Sequence, residues 1–227
     1  MTDFDLHVAE YRRTLDRGLS ISGEDGDYFS RGRVTWLARR LSRHAARPRR
    51  LLDLGCGDGR TLPALRDALD ASDALGVDAS AASIEKARRD IGDPRLRFET
   101  LEDFRPSADR DLVYCSGVLH HVPPSERSAF LRTVHDALAS GGWLALWENN
   151  PWNPGARWVM HRLPFDRDAV MLDVIEAKRR ARRAGLYVVH VDFQFVFPRL
   201  LAPLRRLEPW LTDWPIGAQY QVLCRKA

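Results

Sequence analysis

The sequence predicts an α/β protein. It reads as a mostly parallel, doubly wound sheet of seven strands, with a helical N-terminal segment and inserts after the fifth and sixth strands. Three observations carry this prediction. Leu51-Leu52-Asp53-Leu54 reads as a short buried strand, and it runs into Gly55-Cys56-Gly57-Asp58-Gly59. Alternate glycines there suit a tight turn and let a ligand approach the main chain closely. Twenty-five residues after Asp53, the apolar run 74–77 ends in Asp78; an acid at that place accepts hydrogen bonds from two ribose hydroxyls. From 50 to 148, short apolar runs alternate with segments of helical length.

Taken in order, residues 1–22 carry Phe4, Leu6, Val8, Tyr11 and Leu15 among charged residues, an imperfect amphipathic helix ending near Gly18. A polar loop follows over 20–27. A second helix runs from Tyr28 to Arg43, with Val34, Trp36, Leu37 and Leu41 spaced to pack on a sheet. Strands are expected at 50–54, 74–78, 96–100, 111–115 and 143–148, with helices at 60–70, 80–89 and 125–139 between them. Ser80 and Ser125 read as N-caps. Gly141-Gly142 reads as the turn before the fifth strand. The insert 149–171 is too rich in Asn, Pro and Gly for regular structure, at least in its first half. A helix over 172–184, ended by Gly185, leads to a strand at 187–195. The second insert, 197–218, precedes a last strand at 219–224. The chain thus divides into an N-terminal helical cap, 1–45, and a core, 46–227.

Composition excludes several classes. With 227 residues, 44% hydrophobic and 29% charged, the chain suits one substantial globular core rather than two independent domains. The net charge of +4 is mild, and its arginines are scattered among acids, which argues against a nucleic-acid groove. No apolar run approaches the roughly 18 residues of a membrane span, and the acidic Met1-Thr2-Asp3-Phe4-Asp5 start lacks a signal segment, so a cytoplasmic location is expected. Cys56, Cys115 and Cys224 are too far apart for a local disulfide framework or a metal cluster and read as small buried residues.

Asp53-Leu54-Gly55-Cys56-Gly57-Asp58-Gly59 resembles motif I of the class I S-adenosylmethionine (SAM)-dependent methyltransferases. The G-x-G-x-x-G loop of dinucleotide dehydrogenases spaces its glycines differently, and Asp53 would repel a pyrophosphate. The resemblance is tight over 50–148 and loose over 172–227. It implies SAM as cofactor, S-adenosylhomocysteine (SAH) as product, and an antiparallel hairpin closing the sheet. It further implies that Asp53 lies near the methionine amino group, with Gly55, Cys56 and Gly57 against the homocysteine portion. Asp78, with Ala79 beside it, would take the ribose, unless Asp78 merely caps the next helix. The adenine would meet Leu101 with Glu102 or Asp103, or the backbone there, and Ser116 and Gly117 would offer carbonyls to the cofactor amine. The N-terminal segment would act as a lid, with Tyr11, Tyr28, Phe29 and Arg31 as its candidates; Tyr11 and Phe29 are also readable as the apolar face of the helices, which is the preferred reading for Phe29, while Tyr28 suits either.

Methyl transfer is an in-line displacement that needs alignment and, for a weak nucleophile, a base. The candidates lie in loops at the carboxyl edge of the sheet: His120 and His121, in a Leu-His-His segment common in these methyltransferases, then Glu148, Asn149, Asn150, Trp152, Asn153 and Arg157. His121 is read as closest to the chemistry, and the Asn149-Asn150 pair as orienting an acceptor or forming an Asx turn. Trp152, Trp158, Met160, His161 and Phe165 are expected to line an acceptor pocket, with Arg157, Arg162 and Arg167 able to meet an anionic group. The second insert, with Leu200, Leu204, Leu207 and Trp210, is expected to pack over the sheet, the other readings being a homodimer face or a membrane-surface helix. The function expected is methyl transfer to an oxygen or nitrogen of a small molecule, such as a secondary metabolite. The alternatives are a non-catalytic SAM-binding or regulatory protein, or a methyltransferase acting on a protein, lipid-like or nucleic-acid substrate. Against nucleic acid, the segment after the fourth strand is Cys115-Ser116-Gly117-Val118, which lacks the Asn/Asp-Pro-Pro-Tyr pattern.

Overall fold

In a computed structural model that describes residues 11–227, seven strands form one sheet in the order β3-β2-β1-β4-β5-β7-β6. They are β1 (Arg50–Leu54), β2 (Asp73–Asp78), β3 (Leu96–Thr100), β4 (Arg110–Ser116), β5 (Leu138–Asn149), β6 (Leu186–Gln194) and β7 (Gln219–Lys226). β1, β2, β3, β4 and β5 pair in parallel, whereas β7 runs antiparallel to both β5 and β6. The helices are α1 (Tyr11–Leu19), α2 (Gly26–Arg43), α3 (Thr61–Leu69), α4 (Ala81–Asp90), α5 (Arg127–Ala137), α6 (Pro154–Arg162) and α7 (Val174–Arg183). The expected N-terminal helix begins outside the described residues; within them α1 ends at Leu19 and a 3-10 turn, Ser20–Ser22, follows.

The period of two along a strand sends alternate side chains to opposite faces. On one face Leu52, Leu54, Val113 and Leu146 pack with Leu131 and Val134 of α5 and Ala177 and Ala181 of α7. On the other, Leu51, Leu112, Tyr114, Ala145 and Trp147 pack with α2, α3 and α4. Asp53 shares the parity of Leu51, so it faces α2. Caps fix the helix starts: Asp25 accepts from the Tyr28 amide at 2.8 Å, and Ser80 from the Ser83 amide at 3.1 Å.

Four expectations need correction. Ser125 does not cap α5, which starts at Arg127 with Glu126 before it and no side-chain cap. Gly141-Gly142 is not a turn before β5 but lies within it, at a register shift between Arg110 and Leu112 of β4. A Cβ on Gly142 would come within 2.9 Å of two carbonyl oxygens, so a bulge of this shape requires glycine. The Asn-Pro-Gly run of the first insert builds α6: Asn153 caps it, accepting from the Ala156 amide at 2.9 Å, and Pro154 occupies its first position. The signals read as breakers are start signals.

The second insert is a 3-10 stretch, Arg199–Trp210, interrupted by Pro203 and Pro209. Without an α-helix there is no single apolar face, and Leu200 and Trp210 stay 90% and 74% exposed instead of packing on the sheet. The stretch is held by Glu208, which accepts from the Val196 and Phe197 amides at 3.0 and 2.8 Å. Arg205 donates to Glu24 Oε1 at 2.8 Å, tying the insert to the turn before α2. Among the described residues, no helix is long and apolar enough to cross a membrane.

Candidate active site

The carboxyl edge of the sheet carries two adjoining features: a glycine loop with two acids, and a cavity. In the loop, Gly55, Gly57 and Gly59 all have positive φ, at 84°, 54° and 75°. At Gly55 a Cβ would sit 2.2 Å from Val118, whereas at Gly57 it would meet nothing within 4 Å. Gly57 therefore faces open space, and its amide donates to Asp78 Oδ2 at 2.8 Å. Asp78 Oδ1 accepts from the Ser80 amide at 2.9 Å. The cap of α4 is Ser80 rather than Asp78, whose carboxylate ties the glycine loop to the start of that helix. The Leu101 amide donates to the Asp78 carbonyl at 2.8 Å, which places the turn after β3 beside this acid. Glu102 and Ala79 are exposed there. The Cys56 amide donates to the Val77 carbonyl at 3.0 Å; its thiol pKa is pushed well above the ordinary value by burial and then by Asp53 and Asp78, so it is no nucleophile.

Asp53 is buried, and no described residue donates a hydrogen bond to it. Burial, then the neighbouring Asp78, pushes its pKa up to about 7 against the pull of Arg33. A desolvated carboxyl group without a donor is costly unless a cation arrives. The arrangement therefore suits a ligand with an ammonium group at Asp53 and hydroxyls at Asp78.

The cavity, of about 400 Å³, opens beside this loop. Ser116, Gly117 and Trp147 to Asn149 form its sheet edge, with Met160 and Phe165 of the first insert and Tyr28 of α2 also in its wall. Of the residues expected at the site, Tyr28, Ser116, His120, His121 and Asn149 line it. Asp53, Gly55, Cys56, Gly57, Asp78, Ala79, Leu101 and Glu102 do not; they form the adjoining loop region. Arg31 is exposed on α2 and reaches neither feature; the cavity-lining arginine of that helix is Arg33, two residues on, which donates to Gln219 at 3.0 Å. Trp152, Trp158 and His161 are likewise exposed and off the wall, as are Arg157, Arg162 and Arg167. Asn150 is buried and forms the Asx turn, accepting from the Trp152 amide at 3.1 Å. Tyr11 belongs to α1, but its side chain lies outside the description.

His120 and His121 are locked differently. His120 Nδ1 donates to Glu148 Oε2 at 2.6 Å, while Glu148 Oε1 accepts from the Val118 and Leu119 amides at 3.2 and 2.7 Å. Asp166 Oδ1 lies 3.6 Å from His120 Nε2 and 3.3 Å from His121 Nε2. Burial would lower the pKa of His120, but Glu148 and Asp166 more than offset it and raise it to about 10. Burial and the adjacent His120 push His121 down to about 4. Two residues of this cluster escaped sequence reading. Asp166, in the 3-10 turn Pro164–Asp166, carries no motif. Arg127, 1% exposed, donates to the Leu119 and Val122 carbonyls at 3.0 and 3.1 Å and also to the Val170 carbonyl and Glu176. It binds the histidine segment to the segment that carries Asp166.

Residues 52–144 match the family model described as "Methyltransferase domain". This stretch, less than half of the chain, matches a methyltransferase domain, and the sheet that it begins has the class I methyltransferase fold. Curated relatives agree over part of the chain. The trans-aconitate 2-methyltransferase of Methylobacterium radiotolerans is 33% identical over 101 residues, 44% of this chain and 37% of that protein. That of Mycobacterium tuberculosis is 35% identical over 108 residues, 44% of this chain and 37% of that protein. The chain thus spans under half the length of these relatives. Among solved structures, a SAM-dependent methyltransferase from Mesorhizobium loti has a TM-score of 0.58 at 24% identity, covering 78% of this chain and 90% of that one. A TehB-like SAM-dependent methyltransferase from Corynebacterium glutamicum has a TM-score of 0.60 at 21% identity, covering 97% of this chain and 98% of that one. These likenesses establish the fold. Gly57→Ala should separate fold from cofactor. A φ of 54° costs alanine about 1–2 kcal/mol, a Tm loss of a few degrees. Its methyl group, however, enters the space in front of the loop, and calorimetry should find SAH bound at least about tenfold more weakly.

Proposed function

We propose that this chain transfers the methyl group of SAM to an oxygen or nitrogen of a small molecule held in the cavity. The observation that carries the reading is the imidazole–carboxylate cluster opening onto the cavity at the sheet edge where Asp53 and the glycine loop also lie. When bound, SAM supplies an electrophilic methyl on a sulfonium, which an acceptor lone pair displaces. The protein's own residues supply the rest. Asp53 faces the ammonium group, Asp78 the ribose, and Gly57 leaves room for the chain between them. Ser116 and Gly117 border the cavity. His121, with Asp166 behind it, is the base in this reading and receives the acceptor proton. Glu148 positions His120, and Asn149, tied to Gln219 at 3.1 Å, orients the acceptor. The mixed lining, with Leu15, Leu19, Phe29 and Met160 beside these polar groups, supports an acceptor with an apolar body and one polar reacting end.

The relatives' name, trans-aconitate 2-methyltransferase, adds a carboxylate oxygen to the acceptors worth testing. The family-model match ends at residue 144, however, before either insert begins, and so does not reach the cavity walls at 160–166 and 195–205. A solved structure of the same fold at 22% identity is a cyclase, SpnF, so the fold alone does not fix the reaction and the site's residues carry the reading. The test is calorimetric titration with SAH beside Asp78→Ala, followed by SAM turnover on a phenol, an amine and a tricarboxylate. Micromolar SAH binding that the variant loses at least about 100-fold, with methyl transfer to one acceptor class, is expected. A folded protein that binds no SAH would end the proposal.

A further inference from the structure

We propose that His120, His121 and Asp166 form a site for one divalent transition-metal ion of the zinc class, with its open coordination position facing the cavity. One ring nitrogen of His120, one of His121 and an Asp166 oxygen all lie within 4.8 Å of one another, and the Nε2 atom of each histidine faces the same Asp166 oxygen. The nitrogen–oxygen separations are 3.6 and 3.3 Å. They are close to the edges of a tetrahedron around a metal: bonds of about 2.0–2.1 Å give edges of about 3.3–3.4 Å. The two imidazole rings, with centroids 4.2 Å apart and planes 50° apart, converge on the same oxygen from adjacent positions of the chain.

The surroundings are those of a ligand set. His120 gives its Nδ1–H to Glu148 at 2.6 Å, which aims Nε2 at Asp166 and makes it the atom that would bind an ion on losing its proton. Glu148 is itself held by two backbone amides. The Val170 amide donates to the His120 carbonyl at 2.9 Å, and Arg127 clamps the carbonyls of Leu119, Val122 and Val170, so the ligands sit on braced backbone. Glu148 and Asp166 are two buried carboxylates, whose combined charge a divalent ion balances. Two imidazoles and one carboxylate, with the remaining position open, make the ligand set of a catalytic rather than a structural zinc site. Magnesium, which prefers oxygen, does not suit two imidazoles.

The inference deepens the cavity reading above and rests on it for its consequence: an acceptor oxygen bound at the open position would lose its proton to solvent more readily and then displace SAH from the methyl group, and His121 would serve as ligand instead of base. The site itself is tested without turnover. The tag-free full chain, stripped with chelator and dialysed, is titrated with Co2+ and followed by its visible d–d absorption. The expected result is one Co2+ per chain, displaced by one equivalent of Zn2+. Asp166→Asn and His121→Ala, each with its SAH affinity measured in the same samples as a check of folding, should weaken Co2+ binding at least about 100-fold, and Glu148→Gln about 10- to 100-fold. No saturable uptake by wild-type protein that still binds SAH would overturn the metal site and leave the imidazole as base. Stoichiometric uptake unchanged in both ligand variants would overturn the assignment of these residues. Loss of SAH binding by the wild type would instead count against the cofactor reading.

Discussion

Asp53→Asn is expected to give a protein that is more stable to unfolding than the wild type above neutral pH, yet binds SAH about 100-fold more weakly. Both effects come from one buried carboxyl group. Its pKa in the folded chain is raised to about 7, whereas an unfolded aspartate titrates near about 3.9. For a group raised in this way, folding favours the protonated form. Its contribution to stability is complete below the unfolded pKa and is lost as pH rises through the folded one. Between about pH 4 and about pH 7 the ligand-free wild type should therefore lose up to about 4 kcal/mol through this residue. Asparagine carries no such charge, so urea unfolding of the variant should lack that slope and stand above the wild type at about pH 8. Binding runs the other way. An ammonium group at Asp53 favours the ionised form, so wild-type affinity for SAH should rise with pH up to about 7 and then level. The variant should show neither the affinity nor the pH dependence. Equal stability of the two proteins at both pH values would overturn this account of Asp53.

Arg127→Met should cost the fold about 3 kcal/mol or more. Methionine fills the volume but leaves the carbonyls of Leu119, Val122 and Val170 without their guanidinium donor inside the protein. Since those carbonyls flank the histidine segment and follow Asp166, the loss should also loosen the geometry between them. The variant is expected to unfold at lower urea and to turn over SAM at least about tenfold more slowly, while binding SAH as the wild type does, because Asp53, Asp78 and the glycine loop lie elsewhere. A variant with unchanged unfolding midpoint, or with SAH affinity lost in step with turnover, would show that Arg127 does not act through this segment.

The sheet was readable from the sequence because its signals are local. Leu51 to Leu54 and the alternating glycines declare a strand and a turn within nine residues, and the repeat of apolar runs fixes the parallel order from β1 to β5. The cofactor side was readable for the same reason. The acceptor side was not, because its partners meet only through the fold. Nothing near Asp166 in sequence marks it out, and it reaches the histidines only because α6 and the turn after it bring it back over the sheet edge. That helix was itself hidden, since Asn153 and Pro154 signal a break as readily as a start. Arg31 was expected at the site, whereas Arg33 is the arginine of α2 that lines the cavity, because a residue's position on a helix is legible only when the orientation of the helix on the sheet is known. The exposed Leu200 and Trp210 show the converse: an apolar pattern says that side chains would gain by burial, not that the backbone, broken by Pro203 and Pro209, can deliver it.

The position of β7 bears on how the molecule is assembled. It follows β6 along the chain but lies between β5 and β6, with Trp143 opposite Arg225 and Tyr187 opposite Arg225 on the other side. β6 therefore has no strand to join until residues 219–226 have entered the sheet, although it is synthesised first. The strands β1 to β4 close through parallel pairs between neighbours along the chain or between β1 and β4, whereas the β5–β7 pairing must close a longer loop, nearly a third of the protein. Pairings of such sequence separation form late. A chain emerging from the ribosome would thus carry a formed cofactor loop before it has an acceptor chamber, and β7 acts as a keystone: its arrival turns two loose edges into one continuous sheet.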